Sequence, residues 1–191
     1  MLEWFGVISG LLYLYLEIQQ KTSMWVVGLV SSLVYVLVFF QNKFYADALL
    51  NLYYVVISLY GFWMWKLGKS LSKEDETHHS YTTLTWKLTV KLSIVTVAIF
   101  SLIYFVLIKY TDSPVPIGDS VVTTLSFVAT WMLTRKMIEQ WFIWMFVNSL
   151  SVYLFMYKDL KPTALLYLCY GILSVVGYLK WKKFKRIDLK K

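Results

Sequence analysis

Cysteine occurs once in the 191-residue chain, at Cys169 within an apolar stretch, which excludes an internal disulfide and says little about redox compartment. Histidine occurs only as the pair His78 and His79, in a polar segment with no cysteine or further histidine near it; a solvated pair is expected there, and no metal or cofactor is implied. Charged residues are scarce, 16% against 59% hydrophobic, and no polar stretch is long enough for a soluble catalytic domain such as a P-loop ATPase. Any transport must therefore be driven from elsewhere. No histidine or Ser/His constellation falls at membrane depth, so the chain is not expected to be a membrane-embedded enzyme. The first apolar stretch lacks a basic n-region and a small-residue cleavage site, and reads as a retained span.

What the chain has in abundance is apolar and aromatic surface, more than a soluble domain of this size needs. A helical crossing takes about 20 mostly apolar residues, and seven stretches qualify: 3–20, 23–41, 45–65, 87–109, 119–135, 140–157 and 162–181. The fold expected is an all-α, multi-pass integral membrane protein. Formal charge is +8, and with seven spans 15 of the 19 lysines and arginines fall on one side. The positive-inside rule then sets the N-terminus outside and the C-terminus in the cytoplasm of a cell whose inner (plasma) membrane holds the protein. The basic tail WKKFKRIDLKK is explained by topology and interfacial anchoring, without nucleic acid as a partner.

A shift of 116 residues lays 25–66 over 141–182 without a gap, with 12 of 42 positions identical. The matches include Trp25/Trp141, Phe39/Phe155, Tyr54/Tyr170, Ser58/Ser174, Gly61/Gly177 and Trp65/Trp181, which apolar composition does not produce by chance. The expected organisation is a three-helix repeat (1–66), a polar linker with a linker helix (67–117), a second repeat (118–182) and a basic cytoplasmic tail (183–191). The extra helix restores direction, so the repeats run parallel, a 3+1+3 transporter layout with the substrate near the midplane between them. In the connections, Asp119 is placed to cap span 5, and Pro162 suits the first turn of span 7.

Polar residues at membrane depth are the candidates for function. WFIWMFVNSLSVYLF (141–155) puts Trp141, Trp144, Asn148, Ser151 and Phe155 within an arc of about 80°. A Trp face attracts an organic cation, and an Asn amide both donates and accepts. In span 3, Asp47, Asn51, Tyr54, Ser58 and Gly61 form one stripe, matched in span 7 by Thr163, Tyr167, Tyr170, Ser174 and Gly177; the Ser and Gly members suit a helix–helix seam. Pairs that differ between repeats are the more informative, because a small asymmetric substrate needs asymmetry: Ser32/Asn148, Asn51/Tyr167, Gly28/Trp144 and Glu17/Leu133. Glu17 is open between a cavity role and an interfacial one; Glu139 suits an ion pair with Arg135 or Lys136, and Asp47 would draw in cations. The substrate-binding set expected is Trp144, Asn148, Trp141, Asn51, Tyr54, Tyr167, Tyr170, Glu17 and Ser32.

These motifs together resemble the PnuC family of vitamin transporters over about residues 3–182: the W-x-x-W-x-x-x-N pattern of Trp141, Trp144 and Asn148, TRKxxExW from Thr134 to Trp141, FYADALL followed by YGFWMW, and GYLKW. The resemblance implies a SWEET-like seven-helix fold, a homotrimer, and facilitated diffusion of a cationic vitamin with trapping by a cytoplasmic kinase. LYLYLEIQQK with Glu17 resembles the thiamine branch (PnuT), and Asn51 and Ser32 stand where the nicotinamide riboside branch has Gln and Asn. Thiamine is the substrate this implies, with nicotinamide riboside the alternative. A SWEET-type sugar carrier shares the layout, but a neutral sugar gives no reason for Glu17, Trp144 and Asp47.

Overall fold

A computed structural model describes residues 2–41, 45–71, 80–111 and 113–186. His78, His79 and the end of the basic tail lie outside the described residues, as does the side chain of Asp47. Where no water is available to backbone N–H and C=O groups, an apolar run of bilayer length satisfies them internally and becomes a helix. Seven helices result: α1 (Leu2–Ile18), α2 (Ser23–Gln41), α3 (Tyr45–Leu71), α4 (Trp86–Tyr110), α5 (Pro116–Thr134), α6 (Gln140–Tyr157) and α7 (Lys161–Trp181). α2, α4, α5 and α7 are long and apolar enough to cross a membrane; α1 is a shorter apolar helix, and Gln140 and Asn148 dilute α6. α3 runs six residues past Trp65, because hydropathy ends at Lys66 but no glycine–proline breaker follows. Prolines open α5 and α7 at their first turns, where the missing N–H costs nothing.

The chain divides into two compact units, Met1–His79 and Ser80–Lys191. In the first, α2 packs on α1 and on α3. The α1–α2 turn closes with Gln20 at φ 50°, donating its N–H to Glu17 O (2.9 Å) while Lys21 N donates to Leu16 O (2.9 Å). Trp25 is buried against Gly61 and meets Trp65 edge to face at 5.7 Å.

In the second unit α6 packs on α5 and α7, and α4 packs on α5. The α5–α6 turn has Lys136 at φ 53°, with Lys136 N on Leu133 O (2.9 Å) and Met137 N on Met132 O (3.1 Å). This is the bonding pattern of the α1–α2 turn, at positions 116 residues on, and in both a non-glycine residue adopts the left-handed conformation that satisfies the last helical carbonyls. Trp141 likewise covers Gly177 and meets Trp181 edge to face at 5.5 Å. Leu88 and Leu92 of α4 pack against Val128, Met132 and Met137, yet no residue of α4 is buried and Trp86 is 80% exposed.

A short extended segment was not foreseen in the polar linker. Ser80–Tyr81 (β1) pairs in parallel with Lys185–Arg186 (β2), and Thr82 bridges to Met137. Thr82 N donates to Lys136 O (2.9 Å), Ile138 N to Thr82 O (3.0 Å) and Thr82 Oγ1 to Arg135 O (2.9 Å). Glu139 Oε1 accepts from Leu84 N at 2.9 Å. The carboxylate expected to pair with Arg135 or Lys136 thus holds the linker to the α5–α6 turn. Asp119 also differs from its expected role: the N-cap of α5 is Val115 without a side-chain cap bond, and Asp119 binds Lys158 Nζ (2.8 Å) and accepts from Ser113 Oγ (2.7 Å). A cation one helix away outcompetes its own helix terminus.

Candidate functional site

In the second unit, α6 presents Trp144, Asn148 and Ser151 at i, i+4 and i+7, one face of the helix. Asn148 is buried and donates from Nδ2 to Ser174 Oγ on α7 (3.2 Å); Ser174 passes its own hydrogen to Tyr170 O (2.8 Å). The bond fixes the amide's orientation and leaves the Asn148 carbonyl oxygen without a hydrogen bond from the described residues. Gly171 of α7 faces Asn148, and a methyl group there would lie 3.7 Å from Asn148 Cβ, at ordinary van der Waals distance. The indole N–H of Trp144 and the hydroxyl of Ser151 are buried and have no hydrogen-bond partner among the described residues. Unpartnered indole N–H groups occur at Trp25 and Trp141 as well, and what sets Trp144 apart from them is its partial exposure beside Asn148.

Tyr167 and Tyr170 are half-buried on α7, ring centroids 5.7 Å apart, and Tyr167 stacks obliquely on Phe155 of α6 at 5.0 Å. Trp141 stands apart from its neighbours on the helix. Its exposure is 0%, its benzo ring lies on Gly177, and its edge meets Trp181, as Trp25 does with Gly61 and Trp65. Trp141, expected beside Trp144 and Asn148 as a ligand contact, is fully buried and packs on Gly177 and Trp181 of α7.

In the first unit, Glu17 is 2% exposed near the end of α1, so its carboxylate does not reach an exposed surface. Tyr13 precedes it by one turn on the same face of α1. Ser32 and Ser58 are buried, and Asn51 and Tyr54 half-buried. Tyr13 was not among the expected residues; its ring lies over Gly28, where a methyl group would come within 2.9 Å of Cε2. Among the described residues no cluster of three His, Cys, Asp or Glu is placed to hold a metal, and Cys169 is exposed on α7.

Within the second unit the α6–α7 face offers aromatic rings and a few oriented polar groups; the first unit holds a buried carboxylate, Glu17, of its own. The family described as nicotinamide mononucleotide transporter matches residues 1–183. The nicotinamide riboside transporter PnuC of Neisseria mucosa is 30% identical over 189 residues, covering 93% of this chain and 70% of the relative. That of Escherichia coli K12 is 26% identical over 202 residues, covering 94% and 84%. A crystal structure of the vitamin B3 transporter PnuC superposes with a TM-score of 0.70 at 28% identity, over 95% of this chain and 80% of that one.

Proposed function

Because the chain belongs to the nicotinamide mononucleotide transporter family, we propose that this membrane transporter carries nicotinamide riboside rather than thiamine. The preference for thiamine drawn from LYLYLEIQQK finds no support among the relatives, whose names specify nicotinamide riboside. The observation that carries the reading is the set on one face of α6: a half-buried Trp144 ring, its unpartnered N–H, the unpartnered Ser151 hydroxyl and the accepting oxygen of Asn148. The indole face attracts the pyridinium, while the amide and hydroxyl suit a ribose. Thiamine stays as a second reading because Asn51 and Ser32 depart from the residues of the nicotinamide riboside branch and Glu17 is buried.

The two three-helix sets are duplicates arranged as a parallel 3+1+3 fold; the matched turns at Gln20 and Lys136 and the matched Trp–Gly–Trp contacts support this. α4 is the linker helix of that arrangement. The N-terminus lies outside, the C-terminus in the cytoplasm, and the protein sits in the inner (plasma) membrane as a homotrimer. It is a carrier without enzymatic activity, works by facilitated diffusion, and depends on a cytoplasmic kinase to trap the vitamin. Calorimetry on the purified protein tests the substrate: nicotinamide riboside binds more tightly than thiamine, and the reverse order would return thiamine to first place.

A further inference from the structure

We propose that Tyr13, held over Gly28, is a specificity-determining residue that presents an aromatic face beside Glu17 to the cationic substrate; this rests on the carrier reading above. Gly28 stands in the middle of α2, where glycine costs about 1 kcal/mol relative to alanine. Its presence there has a local reason. A methyl group at Gly28 would lie 2.9 Å from Tyr13 Cε2, 3.3 Å from Cδ2 and 3.1 Å from Ser58 Oγ, so the bare backbone is what lets the Tyr13 ring settle onto α2.

The 116-residue offset gives this contact its meaning. Gly28 corresponds to Trp144 and Tyr13 corresponds to Ala129, so large and small have changed places between the helices. Each unit keeps one large ring at this pair of positions, supplied by α1 in the first and by α6 in the second. A ring needed only for packing could have stayed on the same helix, as Trp25 and Trp141 do. Moving it to α1 puts the ring one turn before the buried Glu17 and on the same face. A π face beside a carboxylate is the chemistry that recognises an organic cation, and Tyr13 is half-buried, with part of its surface still open.

The test is calorimetry of nicotinamide riboside and thiamine on the purified full chain, with a thermal midpoint recorded for each variant. Tyr13→Ala weakens nicotinamide riboside binding by about 2- to 30-fold, the range of a cation–π contact, and changes the preference between the two cations. Tyr13→Phe, which keeps the ring, stays within about 2-fold of the parent, a rescue that loss of packing alone would not separate from loss of the ring. Gly28→Ala displaces the ring and weakens binding on its own, but adds nothing in the Tyr13→Ala background. Tyr13→Leu keeps bulk without a π face and carries the test if Tyr13→Ala does not fold. Parent binding with unchanged affinities and preference in folded Tyr13→Ala or Tyr13→Leu overturns the inference alone. Binding of neither vitamin by the parent protein overturns the carrier reading and the inference with it.

Discussion

The benzo ring of Trp141 lies directly on Gly177, and Trp25 lies on Gly61 in the same manner, a methyl group at Gly61 coming within 2.5 Å of Trp25 Cζ2. Each indole is locked between a glycine and a second tryptophan, Trp181 or Trp65. Close approach of two helices in lipid depends on small residues at such points.

Gly177→Ala and Gly61→Ala should therefore each lower stability by about 1–3 kcal/mol through overpacking, because the neighbour is a rigid buried ring that cannot yield. The check is the thermal midpoint in detergent. Nicotinamide riboside affinity, measured where the variants remain folded, should change little, since the contact is scaffold.

The α6 face responds the other way. Asn148→Ala and Trp144→Ala are expected to weaken nicotinamide riboside binding by about 1–3 kcal/mol each, while the thermal midpoint falls less than for Gly177→Ala. Ser174 keeps its bond to Tyr170 O when the Asn148 amide is removed, so the helix pair retains its own hydrogen bonding. Undiminished affinity in both variants would sink the assignment of this face.

Much of this was legible beforehand, for definite physical reasons. Bilayer length forces apolar runs into helices, so six of the seven helices emerge within three residues of the expected spans and α3 overruns its own by six, and the 116-residue offset locates equivalent positions. The face carrying Trp144, Asn148 and Ser151 follows from helical periodicity alone. What periodicity cannot say is which neighbour a face meets. Trp141 shares the arc of Trp144, yet it is fully buried on Gly177 of α7; Ser174 reads as a seam residue, yet it orients Asn148. Asp119 and Glu139 were assigned local partners because local spacing is visible in a sequence, whereas Lys158 and the Leu84 amide lie 39 and 55 residues away. Tyr13 escaped notice because a tyrosine in LLYLYLEI is unremarkable until Gly28 beneath it is seen.

The ion pair between Lys158 and Asp119 joins the end of α6 to the start of α5, with both side chains about three-quarters buried. Asp119→Asn or Lys158→Met should each destabilise the protein by about 1 kcal/mol. In a double-mutant cycle the two losses should not add, because they report one interaction. Full additivity in thermal midpoints would show that the pair contributes nothing as a pair.

Glu139 should act on the linker. Glu139→Ala removes the acceptor of the Leu84 amide, so hydrogen exchange should accelerate at residues 82–84 while the middle of α6 stays protected. Glu139→Gln retains an acceptor oxygen and should keep most of that protection. Equal exchange at Leu84 in the parent and Glu139→Ala proteins would remove the carboxylate from this role.

Uptake of labelled nicotinamide riboside into proteoliposomes holding the purified protein tests the central claim most directly. The account predicts that the label equilibrates to equal concentrations inside and out with no proton or sodium gradient, and that Trp144→Ala slows the entry. Accumulation above the outside concentration on imposing either gradient would contradict facilitated diffusion, and entry no faster than into empty liposomes would contradict the transport of nicotinamide riboside itself.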